Sequence, residues 1–161
     1  LELHLEKVQA WQREIEGQDR LGSIPCSLLM ADLDHFKQIN DSYGHSAGDS
    51  VLYQFAELLV QQTRRHDCVA RYGGEEFVII LVGSSQARAL DVAERIRHAV
   101  ENAAFSGLDG EPIPVTTSIG VTRLEQDEPA QEALKRADHA LYRAKREGRN
   151  LVMAALESCD A

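Results

Sequence analysis

Hydrophobic residues recur along the chain in two patterns, and their alternation predicts a mixed α and β domain. Apolar residues at helical spacing predict helices over about 48–65, 86–104 and 129–147. A short apolar run predicts a strand at 25–32, residues rich in β-branching predict another at 113–124, and 151–154 is expected to form an edge strand. Two apolar runs around Gly73-Gly74 predict a β-hairpin over 68–82. This order predicts a mixed sheet with helices on its faces, and Gly120 is expected to kink its strand.

The first 24 residues are expected to form a helix that leads in from an upstream domain. Its apolar positions fall on one helical stripe, and Gly22 and Pro25 end it. The stripe is expected to pack on the core, and the alternative is that it continues a coiled-coil linker. Because residue 1 is Leu rather than Met, we expect a piece of a longer polypeptide. The compact domain is placed at 25–155, with a C-terminal tail at 156–161.

The charge balance argues against a nucleic-acid polymer as the partner. The 161 residues include 17 Lys and Arg against 26 Asp and Glu, which gives a net charge of −9. Such a surface repels phosphate backbones, although a small anionic ligand can bind where local cations or a metal neutralise it.

The compartment is expected to be cytoplasmic. No apolar run reaches the roughly 18–20 residues that cross a bilayer, and no secretory signal opens the chain. The three cysteines are widely spaced and form no CxxC pair, which is typical of reduced thiols. Cys26 and Cys68 are expected to be small core residues.

Two aspartates at the end of the first strand are the first candidates for chemistry. Asp32 and Asp34 share one face because strand side chains alternate. Two such carboxylates repel each other unless a cation or hydrogen-bond donors separate them. The alternative is that they cap a helix at the turn that follows, and both interpretations stay open at this point.

The hairpin tip supplies further carboxylates. Glu75 and Glu76 follow Gly73-Gly74 directly and are poor strand formers, a local conflict that is typical of functional sites. If the hairpin pairs beside the 26–32 strand, Glu75 can face Asp32. Two carboxylates with a backbone carbonyl form an oxygen site that suits Mg²⁺ and substrate phosphate. The alternative is a solvated turn with two surface acids.

Four ordered blocks resemble the GGDEF-domain diguanylate cyclases, in the GGEEF form. They are RYGGEEF at 71–77, ADLDHFKQINDSYGHSAGD at 31–49, TTSIGV at 116–121 and KRADHALYRAKREGRN at 135–150. The resemblance covers about 25–152. The family's D-x-L-T-G-L-x-N-R-R motif ahead of the first helix is not in this sequence, and His35 stands where many relatives have Phe.

The resemblance implies an α+β fold, a ferredoxin-like palm similar to that of nucleotidyl cyclases and polymerases. The implied activity condenses two GTP into cyclic di-GMP and two pyrophosphates at a homodimer interface, with inhibition by the product. The alternatives are an inactive member that binds GTP or cyclic di-GMP as a regulatory sensor, and a palm of other specificity. An upstream sensory or receiver domain is expected, in a cytoplasmic protein or in the cytoplasmic part of a membrane-anchored sensor.

The resemblance also implies which residues act on the phosphates. Asp32, Glu75 and the carbonyl of Leu33 would hold Mg²⁺ or Mn²⁺, with two ions per active site. Glu75 or Glu76 would help to deprotonate the attacking 3′-hydroxyl, and Glu75 is favoured because a metal-bound carboxylate lies nearest the reacting oxygens. Lys37 would stabilise the developing charge, although the residue alone is typical of a surface cation.

A second implied set binds the rest of the substrate. Lys145 and Arg149 would bind phosphates. Asn40 and Asp49 would recognise guanine, and Asp49 alone would be interpreted as the N-cap of a 50–65 helix. His45 is favoured as a structural residue of its turn over a contact to ribose.

A third implied set forms an inhibitory site for the product. Arg64 and Asp67 form an R-x-x-D pair ahead of the hairpin, and Arg95 would supply a second arginine. The alternative is an ordinary salt bridge at a helix end, which contributes little in water.

Overall fold

The computed structural model of the chain describes residues 25–125 and 128–156. The helix expected over the first 24 residues, most of the tail and Cys159 lie outside these ranges. In chain order the elements are β1 (Cys26–Leu33), α1 (Phe36–Tyr43), α2 (His45–Gln62), β2 (Cys68–Gly73), β3 (Glu76–Val82), α3 (Gln86–Asn102), β4 (Thr117–Arg123), α4 (Ala130–Arg146) and β5 (Val152–Ala154).

The five strands form one mixed sheet in the order β2-β3-β1-β4-β5. Strand β1 lies at the centre and pairs antiparallel with both β3 and β4, whereas β5 is parallel to β4 at one edge. All eight residues of β1 are buried, because strands flank both of its edges and helices cover both of its faces. The predicted mixed sheet with helices on its faces is therefore confirmed.

Alternation along β1 sends its side chains into two separate cores. Leu29, Ala31 and Leu33 face the larger core, which α1, α2 and α3 cover. Leu28 and Met30 face a smaller core, which α4 completes. The same parity places Asp32 on the face that α4 covers, so the end of β1 presents a carboxylate to this helix.

Gly120 does not kink its strand, contrary to the sequence-based expectation. The register between β1 and β4 runs unbroken through the pair Met30 and Gly120. A Cβ at Gly120 would meet the carbonyl oxygen of Ala137 and the backbone of Leu141 in α4. The glycine is there because helix and strand backbones approach closely.

Several element boundaries also differ from the predicted ones. Helix α1, with Phe36 and Ile39 buried, follows β1, whereas the predicted element order has no separate helix before the one at 48–65. Strand β4 begins at Thr117 rather than near 113, because Pro112 and Pro114 interrupt the preceding segment. Cys26 is buried as expected, whereas Cys68 is exposed because it opens the edge strand β2. No helix within the described ranges is long and apolar enough to cross a bilayer.

Candidate active site

The Asp32 carboxylate lies at the end of β1 and meets a lysine from α4. Asp32 is only 3 % exposed. Its Oδ2 lies 2.8 Å from the Nζ of Lys145, which is in the last turn of α4. Helix packing on this face of the sheet thus brings together two residues that are far apart in the sequence.

The hairpin between β2 and β3 brings two glutamates to the same place. Strand β3 pairs with β1 so that Glu76 lies directly opposite Asp32. Gly74 adopts a left-handed backbone (φ +52°), and its carbonyl accepts a hydrogen bond from Arg71 Nε at 2.8 Å. The expected pairing of the hairpin beside β1 is confirmed, but the cross-strand partner of Asp32 is Glu76 rather than Glu75, which lies in the turn.

Burial and neighbouring negative charges raise the pKa values of two carboxyl groups in this cluster. Burial is the main cause that raises the pKa of Asp32 to about 6; Lys145 opposes the rise, and Glu75 and Glu76 add to it. The pKa of Glu76 is also raised, chiefly by burial, with Lys145 lowering it and the charges of Asp138 and Glu75 raising it. Burial and repulsion thus disfavour the ionised carboxylates in this cluster. Binding of an additional cation would relieve that repulsion.

These oxygen donors fit a hard divalent cation whose coordination shell is completed by a bound substrate and water. Within the described ranges, no three Asp, Glu, His or Cys side chains are arranged as a ready metal cage. Mg²⁺ commonly uses one or two carboxylates together with substrate phosphates and water, so a cage is not required. Leu33, the last residue of β1 and next to Asp32, adds a backbone carbonyl at this end of the strand.

Asp34 has a different role from Asp32. Its carboxylate accepts hydrogen bonds from Thr116 Oγ1 (2.8 Å), Ser118 Oγ (2.7 Å) and the backbone N–H of Asn150 (2.9 Å). These donors satisfy the buried charge. The helix-capping alternative is wrong for this residue, because α1 has no side-chain cap and its N-cap position is His35.

One guanine candidate, Asn40, lies against the residue that precedes the other candidate, where α1 packs against α2. The Oδ1 of Asn40 fills the space that a side chain at Gly48 would need. The absence of a side chain at Gly48 thus lets Asn40 pack against the residue that precedes Asp49. Asp49 is exposed and lies inside α2, which begins at His45. Its expected N-cap role is therefore wrong, and the cap position belongs to Gly44.

The remaining basic and imidazole side chains of the expected site are exposed. Lys37 lies on α1, and among the described residues no ion pair or hydrogen bond engages its ammonium group. His45 is exposed at the start of α2. Arg149 is exposed just after α4, with a left-handed backbone (φ 64°). Of these expected cations, Lys145 is the one that contacts Asp32 in the part of the chain that the structure describes.

Sequence reasoning missed Asp138 and Asn150. Asp138 on α4 adds negative charge near Glu76, and Asn150 donates to Asp34. Both residues lie in the block 135–150 that carries part of the family resemblance. Their roles depend on contacts with β1 and β3, which no local pattern reveals.

The expected inhibitory residues lie at the opposite end of β3 from Glu76. The Asp67 carboxylate accepts the backbone N–H groups of Arg64 (2.8 Å) and Val82 (3.2 Å). Arg95 on α3 donates to the side chain and carbonyl of Gln62, at 3.1 and 2.6 Å. In the described part of the chain Arg64 and Asp67 form no side-chain salt bridge, so the alternative of a helix-end ion pair is wrong. Arg64 is exposed.

Comparison with known proteins identifies the family. The family model described as "Diguanylate cyclase, GGDEF domain" matches residues 7–151. Diguanylate cyclase A of Treponema denticola is 50% identical over 127 residues, which cover 78% of this chain and 34% of that protein. The response regulator PleD of Caulobacter vibrioides is 47% identical over 135 residues, 83% of this chain and 30% of that protein. The chain thus spans about a third of the length of these relatives.

Solved structures agree with the fold. The GGDEF domain of DgcB from Caulobacter crescentus, in complex with c-di-GMP, is similar with a TM-score of 0.80 and 33% identity, covering 91% of this chain and 84% of that one. The active GGEEF domain of a diguanylate cyclase from Vibrio cholerae has a TM-score of 0.79 and 34% identity, covering 93% and 92%. The expected α+β fold and the family resemblance are confirmed: the chain belongs to the GGDEF-domain family of diguanylate cyclases.

Proposed function

We propose that the protein is a diguanylate cyclase that condenses two GTP into cyclic di-GMP. The observation that supports this most strongly is the convergence of Asp32, Glu75 and Glu76, with Lys145, at the end of the central strand. In each of two equivalent steps, a 3′-hydroxyl oxygen forms a bond to the α-phosphorus of the other nucleotide. The bond from that phosphorus to pyrophosphate breaks, and the hydroxyl proton goes to a base.

Asp32, Glu75 and the carbonyl of Leu33 are proposed to hold Mg²⁺ or Mn²⁺, two ions per site. Bound there, the metal would neutralise charge on the reacting phosphates. Glu75 and Glu76 are the two candidates for the base. Glu75 is favoured as the metal-bound group, while burial raises the pKa of its neighbour Glu76 and so makes that carboxylate a better proton acceptor.

The surrounding cations and polar groups are proposed to bind the nucleotide. Lys37, Lys145 and Arg149 would neutralise and orient the triphosphate, since phosphoryl transfer depends mainly on positioning and charge. Asn40 and Asp49 would accept the guanine N–H groups, which adenine lacks as a donor pair. The contact between Asn40 and Gly48 supports this pairing of α1 with α2. His45 is proposed to support its turn.

The assembly and its control are also proposals. Each subunit would hold one GTP, so turnover needs a homodimer in which two sites face each other. Arg64, Asp67 and Arg95 would bind cyclic di-GMP as an inhibitor. The exposed Arg64 guanidinium and the bond from Arg95 to Gln62, two residues before Arg64, support this. A cytoplasmic location, an upstream sensory or receiver domain, and the division at 1–24, 25–155 and 156–161 stay predictions.

Incubation with GTP and Mg²⁺, followed by chromatography, tests the proposed activity. We expect cyclic di-GMP and pyrophosphate from GTP, no product from ATP, and loss of turnover in Glu75→Gln. Glu94→Gln, an exposed change on α3, is the control that should keep activity. Nucleotide binding without turnover would instead support the inactive sensor, and product from ATP would support a palm of other specificity.

A further inference from the structure

The turn that follows α4 has an unusual backbone. Three consecutive residues, Gly148, Arg149 and Asn150, have positive φ angles of 128°, 64° and 49°. Residues other than glycine rarely adopt this conformation, and it persists where surrounding contacts over-determine it. Arg149 is therefore held in an unfavourable conformation by its neighbours rather than by its own preference.

One side of this turn is fixed from inside the domain. The backbone N–H of Asn150 donates to Asp34 Oδ2 at 2.9 Å. Thr116 and Ser118 hold the Asp34 carboxylate from β4 and the segment before it, and Asp34 is 4 % exposed. The acceptor is thus a rigid, buried group only two residues from Asp32.

The other side of the turn is fixed by α3. The Asn150 side chain accepts a hydrogen bond from Arg97 Nη1 at 2.9 Å and donates one to Glu101 Oε1 at 2.8 Å. Arg97 and Glu101 also pair with each other at 3.1 Å. The hydrogen bond from Asn150, followed by that from Arg97, lowers the pKa of Glu101. Both ends of the amide are therefore engaged by an ion pair on one helix.

We propose that Arg97, Glu101 and Asp34 act through Asn150 as a clamp that positions Arg149 and Lys145 for the triphosphate. This rests on the proposed function, in which those two cations bind phosphates. The Arg149 N–H donates to the carbonyl of Ala144 at 3.0 Å, so the turn and the end of α4 that carries Lys145 form one connected unit. Arg97 and Glu101 are positioning residues, because they contact Asn150 and are not proposed to contact the substrate.

Helix α3 offers a matched pair of variants for the test. Glu94 and Glu101 both pair with Arg97, and their side chains are 47% and 40% exposed, but only Glu101 contacts Asn150. In Glu101→Ala, amide hydrogen exchange over residues 148–151 should be faster than in the wild type and in Glu94→Ala. Affinity for a non-hydrolysable GTP analogue should fall about three- to tenfold, as expected for a lost hydrogen bond. Affinity for guanosine, which has no phosphates, should not change.

Turnover provides a further distinction. Glu101→Ala should raise KM for GTP with a smaller effect on kcat, and Glu101→Gln, whose amide oxygen can accept from Asn150, should restore KM. Equal behaviour of Glu94→Ala and Glu101→Ala in exchange would overturn the clamp, whether or not the protein binds GTP. Equal losses for guanosine and the GTP analogue would overturn the positioning role. A wild-type protein that binds no GTP would instead contradict the proposed function, and the exchange result would still decide on the clamp.

Discussion

Asp32 and Asp34 show how two similar residues in one sequence motif acquire different roles. Asp34 is surrounded by hydroxyl and amide donors. Asp32 has Lys145 as a partner but is buried among further carboxylates, which raises its pKa to about 6. A buried charge that has few partners without ligand is typical of a functional site. Such a charge lowers the stability of the folded protein but leaves the group available to bind a ligand.

This contrast predicts opposite effects on stability. The folded pKa of Asp32 lies above the ordinary value of 3.8, so the folded state binds more protons between about pH 4 and 6 and its stability falls as pH rises through that range. At pH 8 without divalent metal, Asp32→Asn should therefore raise the free energy of unfolding, by about 1–3 kcal/mol. At pH 4 the gain should largely disappear.

Asp34→Asn is the matched control. It should lower the free energy of unfolding by about 1–3 kcal/mol at both pH values, because a satisfied buried acceptor is replaced by a group that can present only one oxygen. Urea unfolding of the two variants measures both effects. Destabilisation by Asp32→Asn at pH 8 would contradict the account of its burial.

At the scale of the elements, sequence patterns predicted the long helices and the buried strands but not the contacts between them. The hairpin, α3 and α4 follow from periodicity and from Gly73-Gly74. Helix α1 was missed because it has eight residues and only two buried ones. The pairing of Asp32 with Glu76 depends on strand register, and the bond from Asn150 to Asp34 joins residues 116 apart in the sequence. Neither leaves a local pattern.

The packing of α4 on β4 gives a prediction at this scale. Gly120→Ala should destabilise the protein by about 1–3 kcal/mol, because the new methyl group would overlap backbone atoms of Ala137 and Leu141 that cannot move alone. Thermal unfolding checks this. Gly73→Ala is the control and should change stability by less than about 1 kcal/mol, since an added Cβ there meets no atom within 4 Å. Equal effects at the two glycines would contradict the close approach.

At the scale of the whole molecule, strand β3 separates two charged regions. Glu76 begins the strand at the carboxylate cluster, and Val82 ends it where its N–H contacts Asp67. A strand of this length spans roughly 20 Å. The proposed inhibitory site is therefore outside the proposed catalytic site. Because the net charge is −9, each site depends on a few local cations to bind an anionic ligand.

This separation predicts that inhibition can be removed without loss of turnover. Arg64→Ala should weaken inhibition by cyclic di-GMP at least tenfold, about 1.4 kcal/mol, and leave kcat within about twofold, because the exposed guanidinium makes no contact with the carboxylate cluster. Initial rates at increasing product concentration measure this. Arg65→Ala, the exposed neighbour, is the control, and unchanged inhibition in Arg64→Ala would contradict the assignment.

The proposal that Asp32 and Glu75 hold a nucleotide-bound divalent cation is tested most directly by an Mg²⁺ titration at pH 7.5. Calorimetry with a non-hydrolysable GTP analogue present should give saturable binding in the wild type and at least tenfold weaker binding in Asp32→Asn and Glu75→Gln, since each change removes an anionic metal ligand. Equal Mg²⁺ affinity in all three proteins would contradict the account.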